Sequence, residues 1–491
     1  MSQSVLAVRH ESEIYQCVRC NSGLQEHEPT GLACATCGLF YPTIEGVKVL
    51  VSDPDQLLGK HAEWLTERRK ELETRKANAT NAFDEDLHDR ESLALVEQSY
   101  DGLLANLNVV EKQMEPVKQY LAARNQPPSL FSELEGIGWP ATEMVEYFYR
   151  DWSGSSDAQA LEALFTDAVE RFCSEKESVA VLGAGGCGLL QKLRRSFPQT
   201  YGVDLAVDTL LLSKRLLDGE RLTLHLTAPH LTFPVSNHTV TLEGARQKRT
   251  GICLLAANVN QLPFGPASLS CVITQYMMDI VPSQGRLAAE INRVLVEGGV
   301  WIDFSLPLAM SAEDQFNSLN LSTFLEQSGF DLLDRKMHRV DVLDLSSLTE
   351  WAWSSRQTPI MFVAKKVSEP ATPRYNYFAE YFAKKGEAIW DKVPKRVVDI
   401  ALTNERRFTN SGVQESKGLT VLRPNNPRAG SFKVSHQTAA MTEWLVDAVD
   451  GTRTLREISD LMRKDFGPNI PPDQVLQFFS GLEESHLIEI H

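Results

Sequence analysis

The segment Val179-Ala-Val-Leu182 runs without a break into Gly183-Ala-Gly185-Gly186-Cys187-Gly188, and then into the helix-compatible stretch from Leu189 to Phe197. No other feature of the chain restricts its fold as much. An apolar strand feeding a glycine-rich turn and a helix belongs at the C-terminal edge of a parallel sheet, where residues without a Cβ let the backbone turn sharply and approach a ligand. Further on, Tyr201-Gly202-Val203-Asp204 reads as a second short strand ending in an acid, whose carboxylate can accept hydrogen bonds from ribose hydroxyls. Gly183, Gly185 and Asp204 are therefore candidate nucleotide contacts. Each alone has a plainer explanation, a tight turn for the glycines and a strand end for the acid, and the pair also suits a nicotinamide dinucleotide.

The order of the elements downstream of Asp204 narrows the choice. Leu254-Leu-Ala-Ala257-Asn258-Val259 puts a polar side chain where an adenine amino group could be read. Leu262-Pro263-Phe264, Leu269-Ser-Cys-Val-Ile273 and the helix-to-strand run from Glu290 through Gly298-Gly299-Val-Trp-Ile302 complete the succession. In this order the elements resemble a class I methyltransferase more than a dehydrogenase. The resemblance implies an α/β, Rossmann-like core over residues 137–367, with S-adenosylmethionine as cofactor.

A narrower resemblance rests on Met144-Val-Glu-Tyr147-Phe-Tyr149-Arg150-Asp151-Trp152-Ser153, an insert from about Arg221 to Gly251 that carries Ser236-Asn237, and the strand Gly298-Gly299-Val300-Trp301-Ile302. Together with the glycine loop these resemble the carnosine N-methyltransferase-like family over residues 138 to 366. The resemblance implies cofactor contacts at Arg150, Gly183, Asp204, Asn258, Val259 and Gln275. It also implies that Asp279, in Gln275-Tyr276-Met277-Met278-Asp279, holds the substrate. A carboxylate there suits transfer to nitrogen, because it can orient the nucleophile and accept its proton; a strand-end cap facing solvent is the alternative. The sequence departs from the family at Tyr147, where the family has glutamine, and at Asp204, where it often has glutamate. It departs again at Leu306-Pro307-Leu308-Ala309-Met310, which lacks the family's tyrosine and histidine and so implies an acceptor other than carnosine.

Near the N-terminus, Cys17-Val-Arg-Cys20 and Cys34-Ala-Thr-Cys37-Gly38 form two C-x-x-C knuckles. This spacing can bring four thiolates to the corners of a tetrahedron, the donor set of a closed structural zinc site. Residues 1–54 thus read as a zinc ribbon, similar to the small ribbon modules of some rRNA and tRNA methyltransferase systems. The remaining four of the eight cysteines are scattered through apolar sequence, which fits metal binding in a reducing compartment better than a disulfide framework. The formal charge of −16 argues against a general phosphate-binding face and so against a nucleic-acid partner. No signal peptide or bilayer-spanning apolar run is apparent, so a cytoplasmic protein without a membrane partner is expected.

Residues 55–136 are rich in Glu, Lys, Leu and Ala at helical spacing and predict two or three helices, closed by Gln126-Pro127-Pro128. Ser368-Glu-Pro370-Ala-Thr-Pro373 opens a linker with a helical connector, 368–408, ahead of a last module at 409–491. Within that module, Asp450-Gly451-Thr452-Arg453-Thr454-Leu455-Arg456-Glu457-Ile458 predicts a helix start with Thr454 and Glu457 as a capping box. The pattern is similar to the PqqD-type α+β winged-helix modules, which implies recruitment of a precursor peptide or protein partner by strand addition; a structural or dimerising appendage is the alternative. His436, His486 and His491 suggest no metal site. The expectation for the whole chain is an N-methyltransferase acting on a peptide or a small amine- or imidazole-containing metabolite. Its rivals are an rRNA or tRNA base methyltransferase and a partner-binding scaffold that holds cofactor without turnover.

Overall fold

Strands that are apolar on both faces need cover on both faces, and this requirement organises the chain. In the computed structural model the described residues are 14–27, 31–85, 89–124, 138, 140–227, 237–246, 251–281, 284–306, 321–344, 354–357, 359–370, 386–396, 399–409, 412–422, 431–434, 444, 447–466, 479 and 488–490. They divide into two units, one holding the described residues from 14 to 124 and from 138 to 370 and the other those from 386 to 490.

The first unit begins with β1 (Leu24–His27), β2 (Gly31–Cys34), β3 (Phe40–Ile44) and β4 (Val47–Val49), then α1 (Pro54–Asn81), α2 (Arg90–Gln113) and α3 (Glu115–Ala122). After α4 (Val145–Trp152) and α5 (Ser156–Phe172) come β5 (Ser178–Leu182), α6 (Gly188–Leu193), β6 (Gln199–Asp204) and α7 (Val207–Leu217). A hairpin of β7 (Arg221–Thr227) and β8 (Asn237–Glu243) precedes β9 (Ile252–Ala256), β10 (Leu269–Gln275), α8 (Gln284–Val294) and β11 (Leu295–Ser305). The unit ends with α9 (Leu321–Gln327), β12 (Phe330–Met337), the paired β13 (Val340–Asp344) and β14 (Ser354–Gln357), and β15 (Ile360–Lys366).

One 11-stranded sheet runs β1-β2-β3-β4-β9-β6-β5-β10-β11-β15-β12. The strands from β4 to β11 are mutually parallel, and β15 runs antiparallel between β11 and β12. Every residue of β5 is buried. Val179 and Val181 point into the core shared with Phe148, Phe165 and Ile273, while Ala180 and Leu182 point into the one shared with Tyr201, Val272 and Trp301. Order reverses at β5, with β6 on one side and β10 on the other. The crevice at the C-terminal ends of β5 and β10 is thus the switch point at which open α/β sheets bind ligands.

The cysteine-bearing segment is continuous with this sheet, since β4 pairs in parallel with β9 and Leu50 N donates to Ala256 O at 2.8 Å. The helical region expected after it is α1 to α3. Asp53 and Asp89 cap α1 and α2, each accepting from the backbone N–H three residues on (Gln56, 3.0 Å; Ser92, 2.7 Å). The insert after β6 forms the β7–β8 hairpin, whose Leu222, Leu224 and Leu226 are buried. Asn106 of α2 holds the hairpin by donating to His225 O (2.7 Å) and accepting from His225 N (2.8 Å). Ser236 and residues 307–310 lie outside the described residues.

The second unit contains a 3-10 turn (Gly386–Asp391), β16 (Pro394–Arg396), β17 (Asp399–Thr409), β18 (Gly412–Leu422), β19 (Ser431–Val434), α10 (Leu455–Phe466) and β20 (Ile488–Ile490). β17, β18 and β19 form an antiparallel sheet, and β16 pairs antiparallel with β20. The stretch expected as a helical connector therefore holds a short turn and two strands, because β16 finds its partner near the end of the chain and Asp399-Ile-Ala-Leu-Thr-Asn404 pairs with β18. The capping box forms as expected: Thr454 N donates to Glu457 Oε2 (2.8 Å) and Glu457 N to Thr454 Oγ1 (3.2 Å). His436, His486 and His491 lie outside the described residues. No helix among the described residues is long and apolar enough to cross a membrane.

Candidate functional site

The glycine loop divides its work between two neighbours. Gly183 and Gly185 have φ of +70° and +48°, the left-handed region that glycine enters without penalty. The methyl of Met277 lies against the first and that of Met144 against the second. Gly186 and Gly188 instead admit α4. A Cβ on Gly188 would stand 2.7 Å from the backbone oxygen of Asp151, and one on Gly186 2.8 Å from its carboxylate. The indole N–H of Trp152 donates to Gly186 O at 2.7 Å. The Arg150-Asp151-Trp152 element is thus the support of the loop, a role its sequence did not disclose.

Asp204 ends β6 as expected. Its Oδ2 accepts from Gly185 N and its Oδ1 from Ala206 N, each at 3.0 Å, so the acid and the glycine loop form one piece. Burial raises its pKa against these two N–H donors. Each oxygen keeps a lone pair for a further donor. Behind it, buried His61 of α1 accepts from Val207 N at 3.3 Å and lies 3.5 Å from Asp208, whose other oxygen accepts from Ala141 N at 2.9 Å. Burial lowers the pKa of His61, which keeps it neutral and able to accept. This support was also missed, since one histidine among helical charges carries no signal.

Asn258 and Val259 follow β9, beside Asp204, with Ala257 N donating to Asp204 O at 2.9 Å. Asn258 Oδ1 accepts from Asn260 N at 2.9 Å.

Across the switch point, Arg150 is 8% exposed; it donates to Asp151 Oδ1 through Nε (2.9 Å) and Nη2 (2.8 Å) and lies 5.0 Å from the centre of the Tyr147 ring. Its Nη1 is buried with no partner among the described residues. Gln275, the last residue of β10, and Arg150 line a small crevice with Leu161, Phe165 and Gly188. Tyr276 follows with φ +52°, and its buried hydroxyl also lacks a partner among the described residues. Asp279 is 8% exposed, and the same is true of its buried Oδ1. It lies in the turn after β10 and is buried, unlike a strand-end cap facing solvent. Tyr147 and Tyr276 each lie within electrostatic reach of both Arg150 and Asp279, and burial raises the pKa of Asp279.

Under this turn is a hydrogen-bonded chain. Trp301 Nε1 donates to Thr274 Oγ1 (2.8 Å), and the hydroxyls of Thr274 and Ser305 both donate to Asp303 Oδ1 (2.7 and 2.9 Å). Ser305 Oγ in turn accepts from Met277 N and Met278 N (3.3 Å each), which fixes the backbone leading to Asp279. Burial pushes Asp303 up to about 7. The one signal for it in the sequence is an acid inside the apolar run Val300-Trp-Ile-Asp303-Phe304. The folded chain keeps a proton on Asp303 that the unfolded chain releases in the ordinary carboxylate range, so between that range and about pH 7 the contribution of Asp303 to stability falls as pH rises. Asp303→Asn, which mimics the protonated acid, should flatten this slope by roughly 1 kcal/mol per pH unit, read from chemical denaturation of both proteins between pH 5 and pH 8.

Apart from this site, the sulfurs of Cys17, Cys20, Cys34 and Cys37 all lie within 4.8 Å of one another, with Cys17–Cys37 at 3.5 Å and Cys20–Cys34 at 3.3 Å. A tetrahedral zinc with Zn–S of about 2.3 Å needs sulfurs about 3.8 Å apart, so the donor set fits. Tyr41 donates to Cys17 Sγ at 3.1 Å and accepts from Val18 N at 3.2 Å.

Residues 181–303 match the family described as "Methyltransferase domain". No curated protein matches the chain. Among solved structures, the chain is similar to a SAM-dependent methyltransferase from Methanosarcina mazei (13% identity, 41% of this chain and 97% of that one, TM-score 0.28). It is also similar to the YcgJ protein of Bacillus subtilis (10%, 43% and 99%, TM-score 0.31). A third is a complex containing the Trm112 methyltransferase activator of Haloferax volcanii (13%, 43% and 97%, TM-score 0.28). With the family match lying on β5 to β11, in a sheet that reverses at the glycine loop, the chain carries a class I S-adenosylmethionine-dependent methyltransferase domain.

Proposed function

We propose that this domain methylates a nitrogen of an amine- or imidazole-bearing acceptor, a peptide or a small metabolite. The observation that carries the reading is the buried, unpartnered Oδ1 of Asp279, within electrostatic reach of Tyr147 and Tyr276. A buried carboxylate oxygen without a donor is costly, and the N–H donor of an amine satisfies it.

The residues also fit the cofactor: the glycine cradle has no Cβ, Asp204 offers lone pairs toward a ribose, and the unpartnered Nη1 of buried Arg150 suits a carboxylate. S-adenosylmethionine supplies an electrophilic methyl on a sulfonium. Gly183, Gly185 and Asp204 bind and orient it, with Asn258 and Val259 on the adenine side and Arg150 and Gln275 on the amino-acid side. Asp279 would accept a proton from the acceptor ammonium and free the nitrogen lone pair for methylation. Burial raises the pKa of this base toward neutrality, where a base works best.

Cys17, Cys20, Cys34 and Cys37 hold a structural zinc in this reading. The second unit, with a PqqD-like role, brings in the acceptor. What supports that role is its three-stranded antiparallel sheet, a form to which an extended peptide can add a strand. Incubation of the full chain with methyl-labelled cofactor and a panel of amines, imidazoles, short peptides and bulk RNA tests the proposal. Labelled amine or imidazole product is expected; label in RNA alone, or cofactor binding without product, would replace it.

A further inference from the structure

The ribbon touches the methyltransferase domain at a strategic place. Ile14, Gln16 and Val18 surround the first metal-ligand position, Cys17, and all three contact the loop that follows Asn258. Gln16 N donates to Pro263 O (2.9 Å), Gly265 N donates to Ile14 O (2.9 Å), and the Gln261 side-chain amide donates to Val18 O. Between these contacts Tyr15, 1% exposed, packs its ring on Tyr201 of β6 (6.3 Å) and on Phe264 (6.0 Å). The loop's alternate residues are held from the opposite side, where Leu262 N donates to Glu290 (2.7 Å) and Arg293 donates to Leu262 O (2.9 Å) and Phe264 O (2.7 Å). By hydrogen bonds α8 thus grips residues 262 and 264 and the ribbon grips 261, 263 and 265, with Tyr15 packed on the Phe264 ring.

We propose that the four-cysteine ribbon is a clamp on the adenosine side of the cofactor crevice, and that metal occupancy of the ribbon sets cofactor affinity. The inference rests on reading the four cysteines as a zinc site and Asn258 and Val259 as adenine contacts. Four thiolates bound to one ion fix the backbone from Cys17 to Cys37, and with it Gln16 and Val18 on either side of the first ligand. Tyr41 carries the same order from Cys17 Sγ to Val18 N. Without the ion, the thiols lose their common centre, and the three ribbon contacts depend on the packing of Tyr15 against Tyr201 and Phe264 in place of a metal-fixed backbone. The loop then keeps its α8 half and the Tyr15 packing but loses fixed partners at 261, 263 and 265, and residues 258–261 must be ordered by the cofactor at the expense of affinity.

The test uses the full chain, loaded with one zinc and then stripped by a chelator, with metal content followed by mass spectrometry. Calorimetry with S-adenosylhomocysteine is expected to show a dissociation constant about tenfold higher after stripping. Amide exchange is expected to quicken at 257–265 and to stay slow at 271–274 in the core of β10. Gln261→Ala, which leaves all four cysteines in place, should keep its zinc, raise the same constant several-fold and quicken exchange over the same loop. A chain that takes up zinc, loses it and keeps its affinity within twofold overturns the clamp. Exchange that quickens equally at 271–274 also overturns it, since the metal is then a staple for the whole sheet. A chain that never takes up metal overturns the zinc reading itself, which the metal assay distinguishes from failure of the clamp.

Discussion

Replacing Asp279 by asparagine is expected to lower kcat for the amine acceptor by about two to three orders of magnitude, the usual share of a general base. Asparagine has the shape of aspartate and leaves the turn after β10 intact, held as it is by Ser305 through Met277 and Met278. It can orient an amine through its carbonyl but cannot take the proton. The KM for the cofactor should stay within a factor of two, because Gly183, Gly185 and Asp204 are untouched. The pH dependence carries a second signature. Burial raises the pKa of Asp279, so the wild-type kcat should rise with pH through a point above the ordinary carboxylate range, and the variant should lack this rise. Initial rates with labelled cofactor from pH 5 to pH 9 measure both; a variant with full turnover would leave Asp279 a merely buried acid.

The parts of this site that could be read in the sequence are those whose determinants are local. A strand, a glycine turn and an acid at the next strand end lie within twenty-odd residues, and the geometry they impose needs no distant partner. The paired C-x-x-C knuckles are legible for a similar reason, since the donor set identifies itself wherever it folds. Asp303 was half visible, as an acid where only apolar residues belong. What stayed hidden depends on contacts across long stretches of chain. The reason for glycine at 186 and 188 is Asp151, and nothing at position 151 declares that it will stand 2.7 Å from a Cβ that is not there. His61 reaches Val207 across the helical region. The grip of Gln16 and Ile14 on Pro263 and Gly265 is made by backbone atoms, which every residue possesses, so no pattern of side chains could announce it. The same holds in the second unit, where the strand Pro394–Arg396 pairs with Ile488–Ile490 over an interval no local rule spans.

The larger effect on binding should come from Asp204→Ala. In the protein without cofactor, this carboxylate accepts from the backbone N–H groups of Gly185 and Ala206, so its removal leaves both ends of the cradle without that acceptor. The φ of +48° at Gly185 then rests on the hydrogen bond from Ser213 to its carbonyl (3.0 Å) and on Met144. With cofactor bound, the acid is the group placed to receive the ribose hydroxyls, and each hydrogen bond to a charged group contributes about 1.5–3 kcal/mol. Two such bonds together set the expected rise in the dissociation constant at roughly a hundredfold or more. Asp204→Asn separates the two roles, since it can still accept from Gly185 N yet has lost one acceptor oxygen and the charge. It should therefore fall between alanine and wild type in affinity, and because its NH2 then faces the N–H of Ala206 it should also lose some thermal stability. Calorimetry with S-adenosylhomocysteine on the three proteins gives the answer. If both substitutions leave affinity unchanged, the nucleotide does not lie against Asp204, and the glycine loop is a tight turn and nothing more.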